Sequence, residues 1–297
     1  MNRTIEAMES RESISLLKTI YVEGKLDYQV IDAILKNNII LNINVVQINE
    51  EIDESEMPIE ERNISKEKIV QLITKLNEEE YNEKYIGIID LDMDFVNNCL
   101  YSIENLLYTD YSMMESYLLN NELLTDFLNE YVTQETSISE EDLDYYINNM
   151  DEFSRYFLFQ LNSIKLLNKE EIIEKKDQFI KFRELKICHN YYIDSSTRKF
   201  QLDNVLNKEL KSYAEVQKNN FETFCTSLCI DSDKILKFVH GKYTLNYVVC
   251  NLKFTFDNYI KKLAIELIIN ILKDKFVVYS YYTRYPLFQS ILQFART

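Results

Sequence analysis

The sequence predicts an α/β protein, a mainly parallel sheet flanked by helices and followed by a mainly helical C-terminal region. Three observations carry this. Strand-length apolar runs alternate with helix-period runs between Lys18 and Asp90, and a β-α-β-α-β order favours a parallel sheet with right-handed crossovers. Tyr85-Ile86-Gly87-Ile88-Ile89 is unbroken apolar sequence, the pattern of a strand buried on both faces. From about Asn121 the period changes: Leu123, Leu124, Phe127, Leu128 and Tyr131 fall on one helical stripe.

Taken in order, residues 1–17 form an amphipathic lead-in. Lys18–Glu23 reads as the first strand, and Leu26–Lys36 as a helix with Val30, Ile31, Ile34 and Leu35 on one face. Ile39–Ile48 reads as a second strand. Asn49–Asn63 carries seven acidic residues and Pro58, which predicts a loop or insertion. Ser65 is placed to cap a helix over Lys66–Leu76. Tyr85–Asp90 is the next strand and Leu106–Thr109 a short one, and Ser112 is placed to cap a helix carrying Glu115. Further on, a helix opens at Ser139, Ile187–Leu202 is strand-like, and Asp203–Leu228 and Asp231–Val239 are helical. The organisation expected is a catalytic domain over 1–122 and a mainly helical domain over 123–297.

A chain of 297 residues can bury a large core. There is no 18-residue apolar run, so no membrane span is expected. No basic-then-apolar leader is read at the N-terminus. Five cysteines do not suggest a disulfide framework and fit buried thiols in a cytoplasmic protein. With only His189 and His240 present, a structural zinc site is not expected. The net charge of −16 argues against a general nucleic-acid coat. The charge is uneven, however. Residues 1–150 carry 10 Lys+Arg against 32 Asp+Glu, and residues 151–297 carry 23 against 17. A basic second half could hold a polyanion that the first half cannot, unless Glu50–Glu61 and Glu78–Glu83 are simply solvated loops.

Beyond the strand at Tyr85–Ile89 stand Asp90, Asp92 and Asp94, at alternate positions. Strand side chains alternate in direction, so Asp90 and Asp92 would share one side if the chain stays extended. Carboxylates crowded there repel unless a hard cation lies between them, and Mg²⁺ takes oxygen ligands of this kind. A solvated acidic turn is the other reading. Upstream, Lys18-Thr19-Ile20-Tyr21-Val22-Glu23-Gly24-Lys25-Leu26-Asp27 is a second strand-like run ending in a carboxylate. Downstream, Thr109-Asp110 precedes Glu115.

This layout resembles the Toprim domain at both of its signature motifs, over roughly residues 14–120. It is most similar to the small, OLD-like Toprim nucleases of bacterial anti-phage defence, the PARIS systems included. The resemblance implies a toxic effector with Glu23 as metal ligand or general base. Asp90 and Asp92 would hold one or two Mg²⁺ or Mn²⁺ ions, and Glu115, Asp94 and Asp27 would complete a second site or hold water. It also implies an ABC-type ATPase partner that restrains the nuclease, activity as a homodimer, and cleavage of host tRNA. Lys25 and Lys242 are candidates for phosphate contact, beside the reading that both are solvated surface lysines. Val239–Leu245 is similar to a Gly-Lys or Gly-His turn near the family's C-terminus. Tyr281, Tyr282 and Tyr285 around Arg284 read as core, with base stacking as the alternative. Two other functions stay open: a non-catalytic acidic module that binds a basic partner, and a Toprim DNA nuclease.

Overall fold

The computed structural model describes residues 7, 8, 10, 15, 17–51, 65–78, 83–91, 94, 100–131, 241–255 and 260–297. Asp92 and most of the acidic stretch 49–63 lie outside the described residues. So do the expected helix at Ser139, the strand-like segment Ile187–Leu202 and the helices at Asp203–Leu228 and Asp231–Val239.

Four strands form one sheet: β1 (Lys18–Val22), β2 (Ile43–Gln47), β3 (Tyr85–Ile89) and β4 (Leu106–Tyr108), in the order β2-β1-β3-β4. Every pairing is parallel, with Ile20 opposite Val45 on one side and Ile86 on the other, and Ile88 opposite Leu107. The connections run through α1 (Lys25–Asn37), a single turn α2 (Ile48–Glu51) and α3 (Ser65–Glu78). All five residues of β3 are buried, as its unbroken apolar sequence requires.

One face of the sheet is covered by α3. Ile69, Leu72, Ile73 and Leu76 pack on Tyr21, Val46, Tyr85, Ile89 and Leu106, with Met8 of the lead-in closing the cluster. The fit over β3 is close. A Cβ built on Gly87 would lie 2.6 Å from Ile69 Cγ2 and 2.7 Å from Ile73 Cγ1, so β3 accepts no side chain where α3 crosses it. With β2 on one side of β1 and β3 on the other, right-handed crossovers place α1 on the face opposite α3. Buried Ile20, Val22, Ile86 and Ile88 alternate toward that face.

The chain divides into two compact units, Met1–Met114 with Lys273–Thr297, and Glu115–Leu272. The boundary expected near 122 lies close to the first break, but the sheet unit also takes back the last residues of the chain. Their elements are the end of α6 (Ile265–Val278), a 3₁₀ turn (Tyr281–Arg284) and α7 (Pro286–Arg296). Lys18 Nζ donates to the Phe294 carbonyl at 2.8 Å and Asn38 Nδ2 to the Tyr282 hydroxyl at 2.8 Å. Arg296 donates to Asn38 Oδ1 at 3.2 Å. Tyr282 and Tyr285 pack their rings on Phe276 and Phe288, and Tyr285 also meets Tyr111. Tyr281 and Tyr282 are buried and Tyr285 is half-buried, as the core reading expects.

In the second unit a 3₁₀ turn (Met114–Leu119) leads to α4 (Asn121–Tyr131), whose Leu123 N–H is capped by Asn120 Oδ1 at 3.1 Å. Its stripe of Leu123, Leu124, Phe127 and Leu128 is buried. α5 (Gly241–Thr255) buries Leu245, Val248, Val249 and Leu252 at helical spacing. No helix among the described residues is long and apolar enough to cross a membrane.

The second strand is shorter than its composition suggests. α1 ends in paired hydrogen bonds, Ile39 N–H to the Lys36 carbonyl at 3.0 Å and Ile40 N–H to the Leu35 carbonyl at 2.9 Å. This closure places Ile39 in the left-handed region, at φ 60°, where helices normally end on glycine. Ile39 is 84% exposed, so its side chain recovers nothing through burial. Left-handed backbone costs a β-branched residue about 1–2 kcal/mol. Ile39→Gly should therefore raise stability by about 1 kcal/mol, read as a higher denaturant midpoint with unchanged slope.

Candidate functional site

Open α/β sheets bind ligands beyond the carboxyl ends of their strands, where the order of connection reverses. Here that point lies between β1 and β3. β1 connects outward to β2, and the chain then crosses back over β1 to form β3. The register puts Val22 opposite Ile88, so the residues leaving the two strands emerge side by side. Glu23 leaves β1 and Asp90 leaves β3, both half-buried. Glu23 Oε1 accepts the Asp90 backbone N–H at 2.7 Å. A backbone bond of this kind holds the carboxylate in one position across 67 residues of sequence.

The turn after Glu23 is a helix entry. Gly24 precedes α1 with φ −133° and ψ 173°, extended backbone open to any residue. A Cβ on Gly24 would meet only Asp27 Oδ2, at 3.4 Å. Asp27 is buried, and its Oδ2 accepts the Gly24 N–H at 2.8 Å. It satisfies one of the donors that a helix N-terminus leaves open, and its charge suits the positive end of the helix dipole. Lys25, the first residue of α1, is exposed.

The turn after β3 is fixed from β4. Thr109 N–H donates to the Ile89 carbonyl at 3.0 Å. The buried Thr109 hydroxyl accepts the Leu91 N–H at 2.9 Å and donates to the Tyr111 carbonyl at 2.6 Å. Asp110 Oδ2 accepts the Leu287 N–H at 3.2 Å, in the first turn of α7. The C-terminal helix thus anchors the loop that holds Leu91, while Asp90 is held from Glu23.

Asp94 closes a turn through its N–H to the Leu91 carbonyl at 3.1 Å. Its Oδ2 receives the Lys66 ammonium at 3.1 Å and the Tyr108 hydroxyl at 3.4 Å. Both members of the ion pair are largely sequestered, the Lys66 side chain 8% exposed and that of Asp94 13%. Burial pushes the Tyr108 phenol up to about 12; the Tyr101 N–H, donating to its oxygen at 2.8 Å, pulls the other way. Tyr108 therefore stays protonated and continues to donate to Asp94. Burial likewise raises Tyr85 to about 12.

The structure brings Glu23 and Asp90 together, with Asp27 one helical turn further on and Asp94 in the turn after Asp90. Asp92 falls outside the described residues. Glu115, half-buried in the first turn of its 3₁₀ segment, and Lys242, exposed in the first turn of α5, belong to the second unit. Gly241–Leu245 is helical, and Val239 and His240, the rest of the stretch likened to a turn, lie outside the described residues. Among the described residues no three His, Cys, Asp or Glu side chains form a group that could hold a metal ion. The two carboxylates at the switch point are nonetheless hard oxygen donors of the type Mg²⁺ and Mn²⁺ prefer. No family model matches the chain, and no curated protein matches it.

Lys66 and Tyr108 were not singled out from the sequence, and Thr109 only as the neighbour of Asp110. One signal was present for the lysine. Lys66 and Lys68 lie in the first turn of α3, and both are buried. Cations are disfavoured at a helix N-terminus, which marks them as held there by something else.

Two outcomes follow. Thr109→Val leaves the buried Leu91 N–H without its acceptor, which should cost about 1–3 kcal/mol; Thr109→Ser should retain most of the stability, both read by denaturant unfolding. For Tyr85 and Tyr108 the folded pKa lies above the ordinary tyrosine value, so the folded state keeps protons that the unfolded state releases. Their stabilisation is complete below about pH 10 and is lost as pH rises toward 12. Melting temperature followed across that window should fall, and more shallowly in Tyr108→Phe.

Proposed function

We propose that this chain is a metal-dependent Toprim nuclease, a toxic effector of anti-phage defence that acts in the cytoplasm. The observation that carries the reading is the pairing of Glu23 with Asp90 across adjacent parallel strands at the sheet's switch point. A structural acidic turn gives no reason for a second carboxylate, from a distant strand, to be fixed on its backbone. The signature residues around Glu23 and Asp90 support Toprim membership, and the parallel sheet suits it.

Glu23, Asp90 and Asp92 would hold Mg²⁺ or Mn²⁺. The bound ion supplies phosphate charge neutralisation and an activated water for phosphodiester hydrolysis. Glu23, whose carboxylate is oriented by the Asp90 N–H, would serve as a metal ligand or as the general base. Asp27 shapes the approach by capping α1, and Lys25 presents an exposed ammonium beside it, suited to a substrate phosphate. RNA is the favoured substrate class, with host tRNA first. An ABC-type ATPase that restrains the chain until infection, and a homodimer as the active form, complete the reading. The competing function, a non-catalytic acidic module, takes its support from the excess of 32 Asp+Glu over 10 Lys+Arg in residues 1–150.

The test is cleavage by purified protein of tRNA, single-stranded RNA, single-stranded DNA and plasmid, with Mg²⁺, with Mn²⁺ and with EDTA. Cleavage should require the ion, and Glu23→Ala should lower it at least about a hundredfold, the scale of a lost acid–base or ligand group, with the far-ultraviolet spectrum unchanged. A folded Glu23→Ala protein that cuts at the wild-type rate would overturn the reading. Preference for plasmid over tRNA would transfer it to DNA.

A further inference from the structure

We propose that the open edge of β2 is the surface on which a second copy of this chain docks, antiparallel, so that two four-stranded sheets join into one. Such a junction would serve a nuclease and a binding module alike.

Among the described residues β2 has β1 on one side and no strand on the other. An unpaired edge presents a row of N–H and C=O groups to any chain that can align with it. Proteins ordinarily guard such edges with a charge, a proline, a bulge, a short length or a covering segment. β2 carries no charge and no proline in Ile43-Asn44-Val45-Val46-Gln47, and all five residues pair with β1 without a bulge. The other edge, β4, is only three residues long and starts after the left-handed Asn105. Nor are the approaches to β2 closed off. Leu41 and Asn42 before it and Asn49 and Glu50 after it are exposed. Leu41 is 77% exposed, an aliphatic side chain left in water at the entry to an apolar strand.

The charges select the occupant and its direction. Lys18, level with Ile43 in the register, stands at the amino end of β2. With it stand Lys36, in the last turn of α1 and paired with Asp32 at 2.7 Å, and Arg296, held on Asn38. Glu50 and Glu51 follow the carboxyl end. Antiparallel apposition of two β2 edges sets the basic end of each copy beside the acidic end of the other. It also keeps the two acidic ends apart, in a chain of net charge −16. Parallel apposition would set acid against acid, which is destabilising. With the two-fold axis at Asn44, Ile43 lies opposite Val45 of the second copy and Leu41 opposite Gln47, while Asn44 meets its own counterpart. A self-complementary surface of this kind closes as a dimer.

The experiment is sedimentation equilibrium of the full chain over a range of concentrations, with circular dichroism as the check on folding. Wild type should associate to a dimer. Asn44→Lys alone and Asn44→Glu alone set like charges opposite each other and should each weaken association at least about fivefold. Mixed in equal amounts, the two variants should recover it. Glu50→Lys, at an exposed position, should also weaken association, because it places a lysine beside Arg296 of the second copy; Glu50→Lys with Arg296→Glu should restore it. A wild type that stays monomeric overturns the proposal and leaves the edge to an extended segment of another protein. Cleavage by that monomer would leave the metal-dependent reading standing. The proposal is equally overturned if either folded Asn44 variant dimerises as wild type does, or if their mixture stays monomeric. Unchanged or tighter association of Glu50→Lys overturns the antiparallel direction.

Discussion

The arrangement at the carboxyl end of the sheet depends on one pairing, β1 beside β3 in parallel. Glu23 and Asp90 are far apart in sequence, and only the register of Val22 opposite Ile88 brings them into one hydrogen bond. That register depends in turn on close packing. Gly87 lets α3 approach β3 until Ile69 and Ile73 occupy the space where a side chain would stand. A larger residue there would push the helix outward and move Lys66, at its start, away from Asp94. The core contact and the charged contact are thus two ends of one rigid element.

Polar anchors do the finer placement. Thr109 holds the Leu91 backbone, Asp27 holds the Gly24 backbone, and Glu23 holds the Asp90 backbone. In each case a side-chain oxygen takes a backbone N–H that strand or helix cannot satisfy. Buried or half-buried donors of this kind must find partners; for Leu91 and Asp90 the partner comes from another strand end, and for Gly24 from the first turn of its own helix. The loops around the site are therefore set by the same hydrogen-bond accounting that sets the sheet.

Much of this was readable from residues alone. The unbroken apolar run Tyr85–Ile89 located β3, because burial on both faces permits no alternation, and the strand-like run ending at Glu23 located β1. The helical stripe of Val30, Ile31, Ile34 and Leu35 located α1 for the same reason. Composition misled at Ile39–Asn42, where β-branched residues suggest strand while the end of α1 needs a left-handed residue. Local pattern also carries no information on distant partners. Nothing around Lys18 or Asn38 announces that Phe294, Tyr282 and Arg296 will lie against them. The tyrosines near the C-terminus read as core, and the ring contacts of Tyr282 and Tyr285 with Phe276 and Phe288 show which core residues they meet. Nor does anything around Asp94 announce that Lys66 will pair with it.

The return of Lys273–Thr297 to the sheet unit has a consequence for synthesis. When β4 leaves the ribosome, the anchor for Asp110 and the partners of Lys18 and Asn38 do not yet exist. About 160 further residues, Glu115–Leu272, must be made first, which at about 5–20 residues per second takes roughly 8–30 s. During that interval the nascent chain holds the acidic residues without the helix that fixes the loop beside them. A chain truncated before Lys273 therefore lacks the partners of Lys18, Asn38 and Asp110, and so does every chain still on the ribosome.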